Sequence, residues 1–157
     1  MKIFFLGISG TFMGNLAQMA SHLGHDVAGV DQKVYPPMSD ELAKSGISFK
    51  EGYTEENFQD ADIYILGNVI SKDNPLLIKI LSHGKNIMSG PEWLYENVLK
   101  DKKVIAVSGT HGKTTVTTMI AHALLEQGEN PGYLIAGVPK MLKLSLIHIS
   151  EPTRQPC

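Results

Sequence analysis

Short runs of branched and aromatic apolar residues alternate along this chain with stretches whose apolar residues return every three or four positions. Lys2-Ile3-Phe4-Phe5-Leu6 is the first run, and a segment so continuously apolar predicts a strand buried on both faces. Gly7-Ile8-Ser9-Gly10-Thr11-Phe12-Met13-Gly14 follows, after which Leu16, Met19, Ala20 and Leu23 recur at helical spacing. Gly24 stands where a left-handed helix cap belongs, and Asp26 to Asp31 reads as a second strand ending in an acid. Strand, glycine loop, helix and strand in this order predict the opening βαβ unit of a parallel nucleotide-binding sheet.

The alternation continues. Val34-Tyr35-Pro36-Pro37-Met38-Ser39 is too proline-rich for strand or helix and predicts a loop, either base-binding or a rigid surface turn, with Ser39 as N-cap of a helix over Asp40 to Lys44. Gly46 closes that helix before a brief strand at Ile47-Ser48-Phe49. Asp62 to Gly67 predicts another buried strand, and Asn74-Pro75 opens a helix through Leu81. A short strand at Asn86-Ile87-Met88 precedes a helix from Ser89 to about Leu99, with Trp93 as a packing residue. The charged Lys100-Asp101-Lys102-Lys103 predicts a linker.

Beyond it, Val104 to Val107 reads as a strand, and Gly109-Thr110-His111-Gly112-Lys113-Thr114-Thr115 opens a helix with Met119, Ile120, Ala123 and Leu124 on its apolar face. Gly128 ends that helix, and Tyr133 to Val138 predicts the next strand. The fold class expected is therefore α/β: a Rossmann-like parallel-sheet domain over 1–99, a linker at 100–103, and from 104 to 143 the first strand, loop, helix and strand of a P-loop-type ATPase domain.

The chemistry follows from the two loops. At Gly109 to Thr115 small residues let backbone N–H groups approach a triphosphate at a helix N-terminus. Lys113 supplies a point charge toward the outer phosphates, and Thr114 a hydroxyl for Mg²⁺. The generic phosphate-loop pattern asks for glycine at position 107, which is Val107, so the shorter form Gly-Thr-His-Gly-Lys-Thr stands instead. In the first loop, glycine amides face a diphosphate, with Asp31 near a ribose hydroxyl or as a solvated carboxylate. Gly7, Gly10 and Gly14 are spaced three and four apart, which argues against a nicotinamide or flavin dinucleotide. Asn68 and Ser71 follow a strand at its carboxyl end and are ligand candidates or turn residues.

Composition narrows the classes. Of 157 residues, 43% are hydrophobic and 19% charged, as in ordinary globular proteins, and the net charge of −2 without a Lys/Arg cluster excludes an electrostatic case for nucleic acid. No run approaches the roughly 18 apolar residues of a membrane span. The apolar start is interrupted at Gly7 without a cleavage site, and the one cysteine is Cys157, so a cytoplasmic location is expected. No histidine pairs with acids or cysteines at metal-ligand spacing.

Taken together, the Gly109–Thr115 loop behind a nucleotide-fold domain, the loop Gly7 to Gly14, the Val34 to Ser39 segment, Gly67-Asn68 and Ser89-Gly90-Pro91-Glu92-Trp93-Leu94 resemble the Mur ligase family, over residues 1 to about 140. The resemblance implies ATP-dependent amide-bond formation between UDP-N-acetylmuramate and a murein tripeptide, through an acyl phosphate, with ATP and Mg²⁺. It implies that Lys113 stabilises phosphate charge, Thr114 holds Mg²⁺, and Gly109, Thr110, His111, Gly112, Lys113, Thr114 and Thr115 cradle ATP. Gly7, Ser9, Gly10, Thr11, Phe12, Met13 and Gly14 would hold the UDP diphosphate, joined by Asp31, Asn68 and Ser71. Family members add further metal ligands and a peptide-binding domain, so these residues alone are expected not to ligate. The alternatives are a ligase adding L-alanine to the same UDP-sugar, a non-catalytic UDP-sugar-binding module, and, third, a dehydrogenase. Residues 144–157 are set apart: Leu144 to Arg154 resembles the in-frame translation of a transposase mosaic-end adaptor, so residues from about 144 onward are expected to be a library-preparation artefact and the protein to be truncated there, the alternative being a natural amphipathic C-terminus.

Overall fold

The computed structural model of the protein describes residues 1–135 and the backbone of Ile147–His148. The chain divides into two compact units, 1–103 and 104–157. The first is built on strands β1 (Lys2–Leu6), β2 (Asp26–Asp31), β3 (Ser48–Glu51), β4 (Ile63–Leu66) and β5 (Ile87–Ser89), all parallel, in the order β3-β2-β1-β4-β5. Helices α1 (Thr11–His22), α2 (Met38–Lys44) and α3 (Pro75–Ser82) connect β1 to β2, β2 to β3 and β4 to β5, and α4 (Gly90–Leu94) follows β5 and continues as a π-helical turn over Tyr95–Leu99.

The sheet forms where the apolar runs lie because parallel strands are covered on both sides. Ile3, Phe4, Phe5 and Leu6 are all buried, as are Val30, Tyr64 and Ile65. Phe4, Leu6, Val30, Tyr64, Leu76, Leu77 and Ile80 make a core cluster between the sheet and α3. Trp93 is wholly buried. Strand order reverses direction between β1 and β4, so the loops leaving those two strands diverge at the carboxyl edge of the sheet, the place where open α/β sheets bind ligands. Gly7 and Gly67 lie at that point. A Cβ on Gly67 would stand 3.0 Å from the Leu6 carbonyl and 3.7 Å from Gly7 Cα, so the loop after β4 can lie this close to the glycine loop only without a side chain.

Two expectations for this unit are adjusted. Helix α2 begins at Met38 with Pro37 as its N-cap, and Ser39 is its second residue. Pro37 already has helical dihedrals, φ −83° and ψ −12°, so the ring fixes the helix entry without a capping side chain. A 3₁₀ turn at Glu55–Asn57, not foreseen, bridges β3 and β4.

The second unit holds α5 (Lys113–Glu126) and an antiparallel pairing of β6 (Tyr133–Leu134) with β7 (Ile147–His148). The strand expected over 104–107 is not formed, and Val104 and Ile105 are 54% and 64% exposed. A strand exists by exchanging backbone hydrogen bonds, and no segment among the described residues pairs with these four. The buried face of α5 also differs from the one expected. Thr118 and Ala121 are buried and Leu125 packs beside Ala121, Tyr133 and Ile135, while Met119 is exposed. Burial follows what covers the helix, and the Thr118 hydroxyl tolerates it by donating to the Thr114 carbonyl at 2.8 Å. The rest of the strand expected at Tyr133 to Val138, from 136 on, and the 144–157 tail, apart from the Ile147–His148 backbone, lie outside the described residues.

Candidate functional site

The loop from Gly7 to Gly14 is organised by where its amides point. Gly7, at φ +86°, and Ile8 both donate to the Val30 carbonyl, at 2.8 and 3.2 Å. Gly10 donates back to Gly7, and Gly14 to Gly10 at 2.7 Å, the first bond of α1. Ser9 donates its N–H to Asp31 Oδ2 at 2.8 Å, and its hydroxyl to the same oxygen. Among the described residues no acceptor meets the amides of Thr11, Phe12 and Met13. These three N–H groups form the first turn of α1, where the helix dipole is positive, and they converge at the strand-order reversal.

Two of the expected loop residues serve packing as well as position. The Met13 side chain is buried, within 3.7 Å of a Cβ placed on Gly67. Gly14 lies beneath the Met38 side chain and is 3.0 Å, Cβ to oxygen, from the Ile8 carbonyl, so any side chain there would force α1 away from the loop. Thr11 and Phe12 are exposed. Asn68 and Ser71 stand on the turns after β4, both exposed, with no side-chain partner among the described residues. The backbone of that segment is fixed by Ile70 N–H to Gly67 O at 3.1 Å and Asn74 N–H to Ser71 O at 3.1 Å.

Asp31 ends β2 inside a network that sequence reasoning did not foresee. Besides Ser9 on Oδ2, its Oδ1 accepts the Gln32 N–H at 2.7 Å and the Tyr53 hydroxyl at 2.9 Å. Its carbonyl accepts the Gly52 N–H at 2.8 Å, which ties the end of β3 to the end of β2. A carboxylate offers about four lone-pair positions, and four donors fill them here. Burial, and then the bond to Asp31, push the Tyr53 hydroxyl well above the ordinary tyrosine range. The signal that could have found Tyr53 is positional: in a parallel sheet, residues just after each strand gather at one edge.

In the second unit, Gly112 at φ +79° caps α5, and Lys113 is the helix's first residue. Lys113 Nζ donates to the carbonyls of Gly109 at 2.6 Å and Thr110 at 3.2 Å, folding the loop around the ammonium. Residues 109–116 are exposed. Thr114 and Thr115 open the first turn, and Val116 N–H bonds to Gly112 O at 2.9 Å. A Mg²⁺ ion keeps most of its shell for phosphate oxygens and water, so a single threonine hydroxyl at a helix start suits its chemistry. Among the described residues no cluster of three His, Cys, Asp or Glu could hold a metal.

Residues 2–102 match the model of the Mur ligase family, catalytic domain. The chain is 45% identical, over 96% of its length, to the UDP-N-acetylmuramate–L-alanyl-γ-D-glutamyl-meso-2,6-diaminoheptandioate ligase of Escherichia coli (strain K12), of which it covers 33%. It is 36% identical, over 87% of its length, to the UDP-N-acetylmuramate–L-alanine ligase of Rubrobacter xylanophilus, covering 30% of it. Among solved structures, the murein peptide ligase of Psychrobacter arcticus 273-4 superposes with a TM-score of 0.90 at 39% identity, over 99% of this chain and 35% of that one. The corresponding ligase from Neisseria meningitides superposes with a TM-score of 0.89 at 43% identity, over 98% of this chain and 48% of that one. The chain thus spans about a third of the length of the curated relatives it matches. A five-stranded parallel sheet with a glycine loop at its reversal point, the match over 2–102 and these similarities agree, and the chain belongs to the Mur ligase family.

Proposed function

We propose that the intact protein is an ATP-dependent ligase that joins the tripeptide L-alanyl-γ-D-glutamyl-meso-diaminopimelate to UDP-N-acetylmuramate, acting in the cytoplasm in peptidoglycan recycling. The observation that carries this reading is the presence, in one chain, of two loops of different kinds whose donors suit an anion. One is the first turn of α1 with its three unmet amides; the other is the Gly109–Thr115 loop with Lys113 at the head of α5. Supporting the choice of branch, identity to relatives named for the tripeptide reaction is 44–45%. To those named for L-alanine it is 34–37%.

In this reading the amides of Thr11, Phe12 and Met13 hold the UDP diphosphate, and Gly7 to Gly14 shape the approach. Asn68 and Ser71 face the same edge and contact the nucleotide-sugar. The amides of Gly109 to Thr115 cradle ATP, and Lys113 exchanges the two loop carbonyls for β- and γ-phosphate oxygens. A lactyl carboxylate oxygen attacks the γ-phosphorus, the bond to ADP breaks, and an acyl phosphate forms. The amine of the tripeptide then attacks the acyl carbon, the C–N bond forms, the C–O bond to phosphate breaks, and the amine proton departs. Thr114 Oγ1 would hold Mg²⁺, which when bound would neutralise charge on the transferring phosphates.

The test is phosphate release by the intact protein given ATP, UDP-N-acetylmuramate and one amine at a time. Release that requires both the UDP-sugar and the tripeptide supports the proposal. Release with L-alanine in place of the tripeptide transfers the protein to the sister reaction. UDP-sugar binding without release by either amine leaves a binding module.

A further inference from the structure

We propose that Asp31 clamps the diphosphate-binding loop instead of reading the nucleotide's ribose, and that Tyr53 is the positioning residue holding that clamp; this rests on the UDP-sugar reading above. In a dinucleotide fold an acid at the end of the second strand is available to ribose hydroxyls. Here all of its acceptor capacity faces the protein: Ser9 N–H and Oγ–H on Oδ2, Gln32 N–H and Tyr53 Oη–H on Oδ1. One carboxylate thus joins the segments leaving β1, β2 and β3. Ser9 lies between Gly7 and Gly10, and fixing both of its donors sets the path by which the chain enters α1. The amides of Thr11, Phe12 and Met13 follow directly from that path.

Tyr53 is built as an anchor. Its ring packs against the core cluster that contains Phe4, Leu6, Val30 and Tyr64. Its hydroxyl lies 3.9 Å from where a Cβ on Gly7 would be. Gly52, at φ +84°, turns the chain so that the ring comes back over the end of β2. A rigid ring carrying a donor to a charged acceptor is a means of holding the carboxylate in one rotamer.

The experiment measures Kd by calorimetry on the intact protein for two probes, UDP and 2′,3′-dideoxy-UDP, in the wild type, Tyr53→Phe and Asp31→Asn. KM and kcat for the UDP-sugar are measured alongside. A clamp predicts that Tyr53→Phe weakens UDP roughly 3- to 10-fold, since one hydrogen bond to a charged group is lost. KM should rise in parallel while kcat at saturation is unchanged. The factor by which the ribose hydroxyls help should be the same in all three proteins, because neither residue touches them. The proposal is overturned if Tyr53→Phe binds UDP within twofold of wild type, or if the ribose factor vanishes in Asp31→Asn. Should Asp31→Asn fail to fold, the Tyr53→Phe arm decides alone. Wild-type protein that binds no UDP removes the UDP-sugar reading, and the clamp with it, before any variant is compared.

Discussion

Lys113 reaches its own loop through the Gly109 and Thr110 carbonyls, and under the proposed function phosphate oxygens would compete with those carbonyls for its ammonium. Lys113→Met should lower the ligation kcat of the intact protein by about 10²- to 10³-fold, the usual cost of removing one charge-stabilising donor. UDP affinity should not change, and parallel turnover and calorimetry would separate the two effects. At Gly29 the expected consequence is structural: a Cβ would stand 2.6 Å from Ile8 Cδ1 and 2.8 Å from the Phe5 carbonyl. Because the backbone oxygen cannot move aside, Gly29→Ala should cost about 1–3 kcal/mol in denaturant unfolding. Residue chemistry of this sort was half legible. The Gly7 to Gly14 and Gly109 to Thr115 loops announce themselves by composition. Gly29 and Tyr53 matter through neighbours 21 and 22 residues away in the chain, which no local pattern reveals.

The helices show the same division at the next scale. Helix α3 starts where Asn74-Pro75 says it should: Asn74 Oδ1 accepts from Leu76 and Leu77 at 3.0 and 3.1 Å while itself buried. Asn74→Ala should therefore destabilise by about 1–2 kcal/mol. Helix α4 carries a capping box, Ser89 with Glu92, in the same local grammar. Ser39 looks similar and is not: its hydroxyl donates to Asp40 Oδ1 at 3.3 Å and caps no amide among the described residues, because Pro37 already sets the entry. Ser39→Ala should stay within about 0.5 kcal/mol of wild type, and a loss near that of Asn74→Ala would restore the capping role to it. In α5 the apolar face expected from periodicity and the face actually covered differ, since periodicity gives a stripe and only neighbours decide whether it is buried.

For the molecule as a whole, the sheet order brings the ends of β1 to β4 to one edge and leaves titrating groups that weaken it in alkali. Burial raises Tyr53 and Tyr64, and the ion pair with Asp60 raises Lys85. A tyrosine whose pKa is higher folded than unfolded contributes stability that is complete below about pH 10 and lost as pH rises above it. The raised lysine has the same sign, so stability should fall from about pH 10 upward, as thermal denaturation across pH 8 to 11.5 would show. Tyr53→Phe should flatten that fall. A slope unchanged in the variant would remove Tyr53 from the account. No helix among the described residues is long and apolar enough to cross a membrane.

Features that depend on near neighbours could be read along the chain alone. These are the strand positions of the first unit, the glycine punctuation, the helix starts at Asn74 and Ser89, the glycine-bracketed loop ahead of α5, and the family resemblance those motifs carry. Tertiary structure decided what depends on distant partners. It closed Asp31 into a network with Ser9 and Tyr53, left residues 104–107 without a strand partner among the described residues where an apolar run predicted a strand, and turned Thr118 and Ala121 inward in place of Met119. One cause underlies all three: hydrogen-bond capacity and apolar area are properties of a residue, but whether they are satisfied is a property of what the fold brings against it.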